Sequence, residues 1–437
     1  MIKEGDINKM KTIQTLVILT ILILTTPLIL SHITPEDVTI NEVDNIIKNT
    51  YTHTSTQVIH VYNNQSIQEA INNSNPGDTI YIHNGTYHEH IIVNKSLRII
   101  GENKENTIID GDNEWDAIIL LSNSNIYLSN IMVTNQSRDS WMGGIDISEG
   151  FWAPPKRKEI RNVTIYNCIV ENCSDGIRCT NTTNIKITNC IIHNNVGPSI
   201  YVIDSTDIII DNCTVYRNGY EEWCGGITID RKDESPNIYR GSIIVRNCRI
   251  YENICYGIEV SSSTNNVRLT NITIYNNVIT DNSGNGIDIR RTTNTIVYHN
   301  IITGHIWTEE TPFATGIYLV DCINTIIEKN NISNNYFGIK ISTSPYNPRL
   351  PDYTIKNNNL INNQKQATFL YVFPQGLLEK TTWNQNYWDK QNNKQRIKTI
   401  LGYLAILNKR HNTILAIIPY LDFDKQPAEK PYNINID

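Results

Sequence analysis

Three carboxylates and a guanidinium fall at matching places in a short repeated pattern: Asp230 in "GITID", Glu259 in "GIEV", and Asp288 with Arg290 in "GIDIR". Were these patterns strands stacked one rung apart, neighbouring acids would sit about 5 Å from one another. Carboxylates that close raise one another's pKa, a property suited to acid and base catalysis or to calcium, which takes oxygen ligands. Calcium is the one cofactor this set admits, and no residue is assigned as a ligand of any other metal. Long insertions beside the same pattern carry Trp141, Trp152, Trp223 and Trp307, with His305 next to the last of them. Aromatic rings stack on the apolar faces of sugars while charged groups bond hydroxyls. These residues, together with Asp146 and Tyr201, are the expected carbohydrate-binding set.

What must position them is a repeat. A small residue followed by an apolar-x-apolar strand recurs as "AIIL" at Ala117, "GIDI" at Gly144, "GIRC" at Gly176, "SIYV" at Ser199 and "GITI" at Gly226. It continues as "GIEV" at Gly257, "GIDI" at Gly286, "GIYL" at Gly316, "GIKI" at Gly338 and "ATFL" at Ala367, at intervals of 22 to 32 residues. Short strands at such a period mark a β-solenoid, in which each turn completes its core only against its neighbours. Alternation along the strand then gives two outward columns. The first contains Asp146, Arg178, Tyr201, Thr228, Glu259, Asp288, Tyr318 and Lys340; the second contains Asp230, Ser261 and Arg290. About ten turns make a rod roughly 50 Å long.

A second marker occupies the opposite half of each turn and aligns Ile131, Cys168, Cys190, Cys213, Cys248, Asn277, Asn300, Asn330 and Asn358 in one column. Stacked asparagines can link their amides from rung to rung. Four cysteines one rung apart do not converge on a single ion, as zinc requires; a disulfide is the alternative, although its preferred Cβ separation of about 3.8 Å is shorter than the rung spacing of about 4.8 Å. They are expected to be small buried thiols.

The remaining composition narrows the classes. With 19% charged residues and a net charge of −7, the chain lacks the basic footprint of a nucleic-acid binder. Frequent isoleucine, threonine and asparagine favour all-β structure. The uncharged run from Thr12 to Ser31, preceded by Lys9 and Lys11, reads as a signal peptide or a retained membrane anchor that places the rest outside the cell. Residues 1–31 are thus the targeting segment, 32–56 a linker, 57–387 the solenoid and 388–437 a C-terminal cap. Ser66 and Glu69 predict the capping box of a short helix over the first strands, whereas 393–418 fits either helix or extended cover.

The opening "SIQEAINNSNPGDTIYIHNGTYHEHIIVNKSLRIIGENKENTIIDG", followed by the G-I-x-I and N-x-I turns, resembles the right-handed parallel β-helix proteins of the pectin-lyase-like superfamily, in particular NosD-like surface and periplasmic proteins. The resemblance covers about Val58–Tyr387. It implies a right-handed parallel β-helix of ten or more turns with an N-terminal capping helix. Polygalacturonases of the superfamily carry N-T-D, D-D, G-H-G and R-I-K motifs, but here "RIK" stands alone at Arg396–Lys398, past the repeats. Pectate lyases use acidic calcium ligands and an arginine, to which Asp230, Glu259, Asp288 and Arg290 correspond by position only. Few methionines and scattered histidines argue against a NosD-type copper role. The expected function is binding of carbohydrate or a cell-surface polymer along the glycine-marked face. A polysaccharide lyase or glycoside hydrolase using the acidic patch, and a purely structural surface protein, are the competing expectations.

Overall fold

A computed structural model describes residues 56–114, 117–140, 142–149, 159–220, 225–232, 241–262, 267–306, 314–344, 351–373, 380–389, 397–408 and 413–436. Chain contacts separate Met1–Ser55 from Thr56–Asp437. The expected targeting segment lies outside the described residues, and among those residues no helix is long and apolar enough to cross a membrane.

The described residues form a right-handed parallel β-helix with three strands in each turn. The glycine-marked strands make the first sheet, as in Gly143–Ile147, Asp175–Thr180 and Ile200–Ile203. Each is followed by a second-sheet strand such as Ile160–Tyr166 and then by a three-residue third-sheet strand such as Ile169–Glu171. The parallel strands pair with the equivalent strand of the next turn, and the third sheet stacks twelve strands. The sequence reading marks two of these three strands and passes over the second. The corner before the third sheet explains the abundance of asparagine. Asn130, Asn167, Asn189, Asn212, Asn247 and Asn276 there have φ between 52° and 58°, a left-handed conformation that asparagine tolerates best after glycine.

The marker glycine answers a different need. A Cβ on Gly226 would lie 2.1 Å from the carbonyl oxygen of Gly257, and one on Gly257 would lie 2.6 Å from that of Gly286. Successive rungs approach too closely there for a side chain.

Isoleucine and valine fill the interior, and two polar ladders run through it. In the first, the backbone N–H and Nδ2 of Asn277 both donate to Oδ1 of Asn300 at 3.0 Å, and the arrangement repeats through Asn330, Asn358 and Asn386 to Asp424. Upstream, Cys168, Cys190, Cys213 and Cys248 are buried free thiols, and Cys248 hands the ladder on by donating its N–H to Asn277. Cys255, outside this column, is disulfide-bonded. The second ladder links Asn195, Asn218, Asn253 and Asn282 in the same manner.

Helix α1 (Ile67–Asn73) begins at the expected cap, Ser66, and Ile67 and Ile71 are buried in the core. A carboxylate from the next turn adds to this helix start: Glu89 accepts the N–H groups of Ile67 and Gln68 at 2.9 and 3.0 Å. At the other end the chain is extended rather than helical. Strand Lys398–Asn408 continues the first sheet and turns back antiparallel as Thr413–Asp424.

Candidate functional site

Rung-to-rung register brings the outward face of the first sheet together. Asp146, Arg178, Tyr201, Thr228, Glu259, Asp288, Tyr318 and Lys340 are successive partners in one unbroken column. Asp230, Ser261 and Arg290 are successive partners in the other. Glu259 therefore stacks directly on Asp288, whereas Asp230 faces Ser261, whose hydroxyl donates to it at 3.1 Å.

At the centre Asp288 is fully buried. Its oxygens receive Nε and Nη2 of Arg290 at 2.7 and 2.8 Å and Nδ2 of Asn285 at 2.7 Å. This bidentate pair holds the guanidinium in its cationic form. Arg290 also donates to the Tyr256 hydroxyl at 3.1 Å, and its charge lies 5.7 Å from the Tyr256 and Tyr318 ring centres. Half-buried Glu259 is pushed up to about 7, first by burial and then by the negative charge of Asp288, with Arg290 pulling the other way. Glu259 is thus one group on this face able to exchange a proton near neutrality, beside the hydrogen-bonded pair of Asp288 and Arg290. With all of these bonds on Asp288, the three acids do not form the open oxygen cluster that calcium needs.

Cations and rings alternate on both sides of this centre. Toward the N-terminus, Arg178 and Lys232 lie 5.5 and 5.1 Å from the Tyr201 ring centre. Asp175, 3.5 Å from Arg178, is pushed up to about 7 by burial despite that partner. Toward the C-terminus, Lys340 lies 5.0 Å from Tyr318 and 5.4 Å from Phe337, and Lys365 lies 5.2 Å from Phe337. Burial holds Lys340 below the usual lysine pKa.

Two expected binding residues are buried. Asp146 keeps its column but is only 2% exposed, accepting from the Gly143 N–H and the Ser148 hydroxyl. His305 is not in a surface loop. It is fully buried and occupies the second asparagine ladder, with Nδ1 3.1 Å from the Asn282 carbonyl and its N–H donating to Asn335. Burial lowers its pKa. Trp141, Trp152, Trp223 and Trp307 lie outside the described residues. The sequence reading missed Asp175, Tyr256 and Asn285, although all three immediately precede a marker glycine and so stand at the edge of the same face. It also missed Lys232, two residues beyond Asp230.

The fold and this face define a right-handed parallel β-helix with a charged outer sheet. The chain belongs to the family described as right handed beta helix region, whose sequence model matches residues 102–274 and 237–394. No curated protein matches it significantly by sequence. Among solved structures it is similar to the A-module of Azotobacter vinelandii mannuronan C-5 epimerase AlgE4, with 16% identity, a TM-score of 0.54 and coverage of 73% of this chain and 88% of that one. The A-module of epimerase AlgE6 from the same organism gives 16%, 0.51, 69% and 89%. The Streptococcus pneumoniae surface adhesin PfbA gives 12%, 0.47, 78% and 84%. At these identities the likeness concerns the fold.

Proposed function

We propose that the outward face of the first sheet binds an acidic polysaccharide outside the cell. The observation that carries this reading is the alternation of cations and rings from Arg178 through Tyr201 and Lys232 to Tyr318, Lys340, Phe337 and Lys365. A uronate polymer presents carboxylates to such cations and apolar ring faces to the aromatics, and successive rungs repeat the contacts along one chain. Similarity to mannuronan C-5 epimerases fits this ligand class. The apolar Thr12–Ser31 run and the disulfide at Cys255 fit an oxidising, extracytoplasmic location. Lys232→Ala and Lys340→Ala are each expected to weaken binding of a polyuronate about tenfold, since each removes a charged hydrogen-bond donor. Unchanged affinity in both variants, measured calorimetrically at low salt, would overturn the reading.

A second reading is favoured by Glu259 alone: it proposes proton abstraction next to the uronate carboxylate, leading to epimerisation or to elimination of the glycosidic bond. Hydrolysis by paired carboxylates is less well supported, because Asp288 is locked to Arg290. Glu259 is neutral below about 7 and negative above it, while a uronate remains negative throughout. Binding is therefore expected to tighten several-fold as pH falls from about 8 to about 6. Glu259→Gln should remove part of that dependence, with Asp175 supplying the rest. Under the catalytic reading the same variant abolishes formation of unsaturated or epimerised product while retaining the glycan.

A further inference from the structure

On the third sheet, away from the glycan face, the strands Gly85–His88 and Thr107–Asp110 pair in register, so that His88 stands opposite Asp110. Beyond Asp110 the chain turns sharply, with Asp112 and Asn113 at φ 52° and 61°. This left-handed turn brings Oδ1 of Asp112 to 2.8 Å from Nδ1 of His88. One donor atom from each of His88, Asp110 and Asp112 lies within 4.8 Å of the others. Asp110 is oriented by the turn itself: Oδ1 accepts the Asp112 N–H at 3.0 Å, and Oδ2 accepts Nδ2 of Asn135 at 2.9 Å. The side chains of His88 and Asp112 are 58% and 54% exposed, so an ion can enter directly from solvent.

We propose that His88, Asp110 and Asp112 hold a first-row divalent transition ion, zinc or one of similar preference, across two turns of the helix. One imidazole nitrogen and two carboxylate oxygens form a donor set for zinc or manganese rather than for calcium, which prefers an all-oxygen shell. Three protein ligands leave further positions for water or an exogenous group. Asn135 is the residue that fixes a ligating carboxylate from behind. The register partners alone would leave the third ligand absent; the positive-φ turn supplies it.

The test is calorimetric titration of zinc chloride into the full chain after chelator treatment. The wild type is expected to bind at least one equivalent, and His88→Ala and Asp112→Asn should each bind one equivalent fewer. Asn135→Ala should retain the equivalent with about tenfold weaker affinity, as loss of an orienting partner does. His83→Ala serves as the control for zinc held by the neighbouring His60, His83 and Glu102 side chains, and should keep the equivalent lost in His88→Ala. Unfolding midpoints of His88→Ala and Asp112→Asn without zinc are expected to match the wild type, because both side chains are more than half exposed. No binding by the wild type, or the same stoichiometry and affinity in His88→Ala and Asp112→Asn, would overturn the proposal.

Discussion

Arg290→Ala is expected to lower stability by about 3 kcal/mol, because it strands the fully buried carboxylate of Asp288 with Asn285 as its remaining side-chain donor. Breaking a buried pair from one side costs more than removing both charges, since the surviving ion keeps its desolvation penalty. The double variant Arg290→Gln with Asp288→Asn should therefore be more stable than Arg290→Ala alone, despite carrying one more change. Chemical unfolding midpoints of the three proteins decide the matter. Equal midpoints for Arg290→Ala and the wild type would show that water solvates Asp288 freely, contrary to its placement beneath Arg290.

Asn300→Leu is expected to cost roughly 3 to 5 kcal/mol, the sum of several orphaned buried groups at about 1 to 3 kcal/mol each. The substitution keeps the approximate volume but removes the oxygen that receives both the N–H and the Nδ2 of Asn277. It also removes the amide that donates to the Ile274 carbonyl and to Asn330. Because each turn of a solenoid touches only its neighbours, the damage should be local. Hydrogen exchange should accelerate in the strands Val278–Thr280, Ile301–Thr303 and Asn331–Ser333 and remain slow around α1. Uniform loss of protection along the chain would contradict a ladder whose energy is held rung by rung.

These effects rest on columns that were readable in the sequence because the strand period is two and turns stack in register. A small residue before an apolar-x-apolar strand was enough to align Glu259 with Asp288 and Ser261 with Arg290. The second strand of each turn escaped notice, since segments such as "VTIY" and "TIVY" carry no fixed small residue at their start. His305 was misplaced for a clearer reason. Asn195, Asn218, Asn253 and Asn282 each lie five residues after Cys190, Cys213, Cys248 and Asn277, and the same offset from Asn300 lands on His305. The sequence neighbours Trp307, Glu309 and Glu310 just beyond it drew attention away from that offset. That Glu259 stays exchangeable was not legible, because it depends on Arg290 and Asn285 converging on Asp288 and leaving Glu259 half-buried. The His88 cluster was hidden by the turn at Asp112, whose backbone conformation no spacing rule reports.

The outer face itself is tested most directly by calorimetric titration of the purified protein with polyuronates and with a neutral glucan of matched length at low salt. Binding of the polyuronates alone, weakened by salt and by Lys232→Ala and Lys340→Ala, is the predicted result. Equal binding of the neutral glucan, or no polyuronate binding at any salt concentration, would contradict the assignment of the Arg178-to-Lys365 face as an acidic-glycan surface.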